Sequence, residues 1–375
     1  MVKLRVMLSE RPRGAVIAVV GVLLAGCGGT SNVAGPAPAA RAEPGAPAVM
    51  SLSPASVIES SETWSYAGKP GRAVQTANYR FYMTQTDPVL ASRLPLFMET
   101  ALRHYRAEFA GLPSPPGKLD TFIMGTRGQW EMLTKQLMGD NAETYLRIQR
   151  GGYASGGRGV FYDIGASDTL SIAGHEGWHQ YTQRTFAEPL PVWLEEGIAT
   201  TMEGYRWEAS GPSLVGWANT ERFDQLRAAE ARGTLMPLLQ LFDTSPQELL
   251  SPRSMAEVEA EGKRAPDAAL TYYAQIWALV HFLREGEGGK YRGALNRAVN
   301  DAAAGRMGSV MSVAIGQRPA RAAVMRRKGP GMAMAYFGED LDVLAREYAR
   351  FVQLVVRPGS RGPVVDGRSP LTGAN

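Results

Sequence analysis

Cysteine occurs once in this 375-residue chain, at Cys27, so no disulfide can form within it. Histidine is almost as scarce, with four in all. Excess charge is small too: 40 Lys and Arg against 36 Asp and Glu leave +4. Most of that excess lies in the first 26 residues, where Lys3, Arg5, Arg11 and Arg13 face only Glu10. Without that stretch the chain is near neutral, which removes the electrostatic case for a nucleic-acid partner. Long apolar runs are missing as well. Ala15–Leu24 has ten residues, about half of what a membrane-spanning helix needs. No internal repeat is visible. At 45% hydrophobic residues the chain can still bury a sizeable core.

The order of the first residues carries information. A basic start, a short apolar stretch and then Leu24-Ala25-Gly26-Cys27 read as an export signal. That ending resembles the lipobox of bacterial lipoproteins, which implies cleavage at residue 26, lipidation of Cys27 and a membrane-anchored protein of the cell envelope. Residues 27–50 are rich in Gly, Ala and Pro and read as a flexible tether. Residues 357–375 have the same character and read as a disordered tail. The folded domain is expected at 51–356.

Within it, a hairpin is expected in the aromatic and β-branched runs on either side of Gly68. A helix is expected over Asp87–Gly111, with an apolar face at Leu90, Leu94, Phe97, Ala101 and Tyr105. A strand at "LDTFIMG", a helix over Gln129–Met138, a glycine-rich loop and a strand at Val160–Asp163 follow. From Ser167 onward the pattern is mainly helical. The fold class read from this order is α+β: an N-terminal half with a small sheet, then a helical half.

Two of the four histidines sit together in "HEGWH", His175 to His179. On a helix, residues four apart share a face, about 5–6 Å apart at Cβ. Both imidazoles can then reach one ion, and Zn²⁺ binds such nitrogens at about 2.0–2.1 Å. Glu176 is turned about 100° away, too close to be a convenient ligand but placed to hold a water. Ser167, Asp168 and Thr169 are candidate caps for this helix, and Arg184 suits its last turn. A turn at Glu188–Pro191 leads into "VWLEEGIAT", a second helix that can bring a carboxylate back to the His pair. Glu195 and Glu196 are adjacent, so only one can face the ion. Gly177 and Gly197 suggest that backbones pass close to each other there.

"HEGWH" followed by "VWLEEGIAT" resembles the gluzincin zinc peptidases of the peptidase MA superfamily. The resemblance covers about Gly152–Tyr205 and, more weakly, a later helix. It implies a zincin-like fold with the HExxH helix in the first half and a cleft between the halves. It also implies Zn²⁺ on His175, His179 and Glu196, with Glu195 solvent-facing or behind a ligand. Glu176 would be the general base of a peptidase acting on peptide or protein. The later helix, "TYYAQIWALVHFLREG", would supply an oxyanion donor: Tyr273 first, then His281 and Tyr272. Tyr272, Ile276, Val280 and Leu283 also make a core stripe. The strand at Val160–Asp163 would be a sheet edge open to extended substrate, or its loop a mobile surface feature. Glu203 reads as an exposed charge, with a place behind a ligating histidine as the other option. His104 and the cluster Arg318, Arg321, Arg326, Arg327 and Lys328 read as solvated. A zinc-bearing scaffold that binds partners without turnover is the rival reading.

Overall fold

The computed structural model describes residues 54–84, 86–251 and 265–371, with side chains from 268 onward in the last stretch. The export signal, Cys27 and the tether lie outside the described residues. Three strands come first: β1 (Ser60–Tyr66), β2 (Lys69–Gln75) and β3 (Tyr79–Thr84). Ala67 and Gly68 turn β1 into β2 with φ of 49° and 74°, the left-handed pair that a two-residue hairpin loop requires. Helix α1 (Pro88–Glu108) follows, capped by Asp87, whose carboxylate accepts from the amides of Val89 and Leu90. Its expected apolar stripe is buried in full.

Strand β4 (Leu119–Met124), helices α2 (Arg127–Met138) and α3 (Ala142–Leu146), and strands β5 (Gly152–Ser155) and β6 (Arg158–Tyr162) complete one sheet. Its order is β1-β2-β3-β4-β6-β5; β3, β4 and β6 run parallel and the other pairs antiparallel. The two-residue side-chain period divides the strands between two cores. Phe81, Ile123 and Phe161 face α1 and the helix after β6, whereas Tyr82, Phe122 and Val160 face Trp130 and Leu133 of α2.

The fold is thus mixed α/β with a six-stranded sheet, and helices dominate after it. They are α4 (Ala166–Thr185), α5 (Val192–Thr201), α6 (Thr220–Ala231), α7 (Leu238–Asp243), α8 (Pro246–Leu249) and α9 (Ala265–Glu285). Then come α10 (Arg292–Ala303), α11 (Met307–Ile315), α12 (Gln317–Arg326), α13 (Gly331–Phe337) and α14 (Leu341–Val356). A short hairpin, β7 (Tyr205–Glu208) with β8 (Gly211–Leu214), interrupts this half; the helical reading missed it. No described helix is long and apolar enough to cross a membrane.

The expected disordered tail is corrected in part. Residues 361–365 form α15 (Arg361–Val365), with Val364 fully buried and Arg361 paired to Asp224 at 3.0 Å. Arg206 also donates to the Val365 carbonyl. Val364, the packing of Leu371 and the bonds of Arg361, Arg206 and Arg357 hold a segment whose composition alone looked unable to fold.

Gly174 and Gly197 set how closely the helices approach. A Cβ on Gly174 would lie 2.3 Å from the Met202 carbonyl oxygen, and one on Gly197 2.9 Å from that of Ile276 in α9. The close backbone approach expected at Gly197 is present. At Gly177 the neighbours are the side chains of Tyr105 and Met98 instead. Replacing Gly174 with Ala should therefore destabilise the protein by about 1–3 kcal/mol through overpacking. Gly128 in α2 has nothing within 4 Å of the same position, so Gly128→Ala, neutral to slightly stabilising, serves as the control without a clash. Thermal unfolding of the two variants checks this: equal melting temperatures would refute the packing argument.

Candidate metal centre

Helix α4 starts one turn earlier than its polar residues suggest. Gly165 is its cap, at φ 100°, and no side chain caps it. Asp163 accepts from the Gly165 amide at 2.9 Å and Thr169 from the Ile164 amide at 3.1 Å. Asp168, expected as a cap, pairs with Arg150 at 2.8 Å. One side of α4 is anchored: Trp178 packs edge-on to Tyr105 of α1, and the Tyr105 hydroxyl donates to the Gly174 carbonyl at 2.6 Å. The adjacent face, about 100° further round, carries His175 and His179.

Helix α5 begins directly after Pro191 and returns Glu196 to that side. His175 Nε2 and His179 Nε2 are 3.3 Å apart, and Glu196 Oε2 is 3.5 Å from each. Three ligands at about 2.05 Å from one ion, at tetrahedral angles, would stand about 3.3 Å apart. The spacing therefore fits three ligands around one metal ion. All three residues are at most 2% exposed, and together they form a buried group able to hold a metal ion.

The hydrogen bonds behind the histidines sharpen this. His175 Nδ1 meets Glu203 Oε1 at 2.8 Å, and His179 Nδ1 meets Glu195 Oε1 at 3.2 Å. A carboxylate can only accept, so both Nδ1 atoms carry a proton, and in the neutral imidazoles both Nε2 atoms present lone pairs. Glu196 Oε2, buried and without a hydrogen-bond partner, points at the same spot. With both imidazoles neutral, three acceptors converge, an arrangement that a cation satisfies.

The charges agree. Burial acts to lower the His175 pKa, but Glu196 and Glu203 outweigh it and the net direction is up. His179 moves up for the same kind of reason, with Glu196 and Glu195 opposing burial. Burial acts to raise Glu196, yet His179 and His175 hold it down at about 2. This is a pocket arranged for positive charge. Glu176 differs: burial raises it to about 7, against the pull of both histidines. Neither of its oxygens has a partner of normal hydrogen-bond geometry, although the Ala154 amide lies near enough to favour the charged form slightly.

Several expectations change here. Of the two places expected for Glu195, it takes the one behind His179 and not the solvent, and it also accepts from the Thr182 hydroxyl at 2.7 Å. Glu203 is buried, not an exposed charge: besides His175 it binds Asn219 at 2.7 Å and two nitrogens of Arg222 at 3.0 Å. Helix α5 ends at Thr201, and Glu203 lies in the turn beyond it. Strand β6 is not an edge, since β4 and β5 flank it; the edge is β5. The glycine-rich loop is in fact a β5–β6 hairpin, turned by Gly156 and Gly157 at φ 58° and 73°.

On α9, Tyr273 lies against the site, its ring 6.4 Å from that of His175 and edge-on to it. Its hydroxyl is buried with no partner, and burial with the nearby Glu196 raises its pKa well above the ordinary value. Tyr272 donates to the Thr244 carbonyl at 3.2 Å, and burial with the nearby Glu196 raises its pKa as well. His281 stacks on Trp217 at 3.8 Å and lies 3.4 Å from Glu285, so its ring packs away from the histidine pair. The expected stripe of Tyr272, Ile276, Val280 and Leu283 is all core. Elsewhere, Arg318, Arg321 and Arg326 are exposed, Lys328 pairs with Glu248, and His104 is half-buried beside Glu108. Compared with known proteins, the chain matches no family model, no curated protein and no solved structure.

Proposed function

We propose that the protein is a zinc-dependent hydrolase, a peptidase of gluzincin type on a zincin-like fold, anchored to the bacterial cell envelope through a lipidated Cys27. The observation that carries the metal reading is the convergence of two buried Nε2 atoms and one buried carboxylate oxygen within 3.5 Å of one another. His175, His179 and Glu196 would hold the ion. Zinc bound there supplies a Lewis acid and makes water acidic enough to ionise near neutral pH.

The remaining steps belong to the chain's own side chains. Glu176, unpartnered and with a pKa near neutrality, takes a proton from the attacking water and passes it to the leaving nitrogen. Tyr273 directs its free hydroxyl at the oxyanion that develops on the substrate carbonyl. Burial keeps bulk water away and strengthens both interactions. The substrate is a peptide or protein of the envelope.

A second reading, a zinc scaffold without turnover, draws on the burial of the whole group at 0–2% exposure. Purely structural zinc sites are closed by four protein ligands, however, and this group has three. Incubation of the purified protein with a diverse peptide library, with and without chelator, separates the two. Chelator-sensitive cleavage supports the hydrolase; a zinc-loaded protein that cleaves nothing supports the scaffold.

A further inference from the structure

Arg222, on α6, is 1% exposed and plays no part in the scheme above. Its Nε and Nη2 each meet a different oxygen of Glu203 at 3.0 Å. Its Nη1 donates to Gln225 at 3.0 Å, and its guanidinium carbon stands 5.1 Å from the centre of the Tyr273 ring. Asn219, the cap of α6, adds a bond from its Nδ2 to Glu203 at 2.7 Å.

A buried cation is costly unless it is paired and hydrogen-bonded, so its position here needs a reason. Glu203 has three rotatable bonds and leaves the backbone in a turn, which by itself fixes its carboxylate poorly. The planar fork of an arginine fixes both oxygens at once, which a lysine cannot do. One of those oxygens holds His175 Nδ1. The flat guanidinium also stacks against Tyr273, a second contact that a compact ammonium fits less well.

We infer that Arg222 is a positioning residue of the metal centre: through Glu203 it sets the orientation of His175 and the tautomer that leaves Nε2 free. This inference rests on the reading of His175 as a metal ligand. Partners behind metal-bound histidines typically change metal affinity about 10–100-fold when removed. Arg222 acts one residue further back, at the carboxylate itself.

The test is zinc affinity by competition with a chromophoric chelator, together with the visible absorption of the Co²⁺-loaded protein. It compares wild type, Arg222→Met, Arg222→Lys, Glu203→Gln and the Arg222→Met/Glu203→Gln double variant. Arg222→Met and Glu203→Gln should each weaken zinc about 10–100-fold and alter the cobalt bands. The double variant should be no worse than the weaker single, because both act along one path. Arg222→Lys should fall between wild type and Arg222→Met. Wild-type affinity, within about twofold, in a folded Arg222→Met protein would overturn the inference, as would losses that multiply in the double variant. If Arg222→Met does not fold, Arg222→Lys decides: unchanged affinity and an unchanged cobalt spectrum would refute a role for the fork. If wild type itself binds no zinc, the metal reading fails, which is distinct from failure of Arg222 alone.

Discussion

Substituting Glu176→Gln should lower hydrolysis about 10²–10⁴-fold while leaving zinc content unchanged. The amide has the size of the carboxylate but cannot accept a proton from water. Glu176 is not one of the three converging ligands, so metal affinity should survive the change. The same residue sets the expected pH dependence. Burial holds its pKa at about 7, above its ordinary 4.5. A general base must be ionised, so kcat/KM should rise with pH through the Glu176 pKa and fall below it. A nearby cation favours the carboxylate and moves that pKa down. The acid limb should therefore lie between 4.5 and about 7. Wild-type turnover by Glu176→Gln would remove Glu176 as the base.

The second large effect is expected at Tyr273. Removing one oxyanion donor typically costs about 10²–10³ in kcat. Tyr273→Phe deletes only a hydroxyl, and that hydroxyl is buried without a partner. Its loss leaves no protein group unsatisfied, so folding and zinc affinity should hold while kcat drops. An unchanged kcat would make Tyr273 a core aromatic that only lines the site. Tyr272→Phe is the companion measurement. Tyr272 bonds the Thr244 carbonyl, so its change should affect stability and leave kcat alone.

Much of this was legible in the chain because it is local. The stripe of α1, strand β4, the His175–His179 spacing and the Pro191 start of α5 each depend on residues a few positions apart. Glu196 rather than Glu195 came from a resemblance, and the structure places Glu196 in the triangle with Glu195 behind His179. What stayed hidden is tertiary. Arg222 lies 19 residues beyond Glu203, on α6, and no periodicity links them. The Gly156-Gly157 pair was a readable hairpin signal, obscured by the other glycines around it. The tail after Val356 folds because Val364, Arg361 and Arg206 find partners, a fact that composition does not encode.

The central claim is the metal centre, and elemental analysis of the purified protein tests it most directly. Wild type should carry about one zinc per chain, as expected for a single His₂Glu site. Glu195→Ala should retain metal with weakened affinity, because it removes a partner behind His179 and not a ligand. Glu196→Ala should be stripped. Full zinc occupancy in Glu196→Ala, or no metal in wild type after purification with zinc present, would contradict the account.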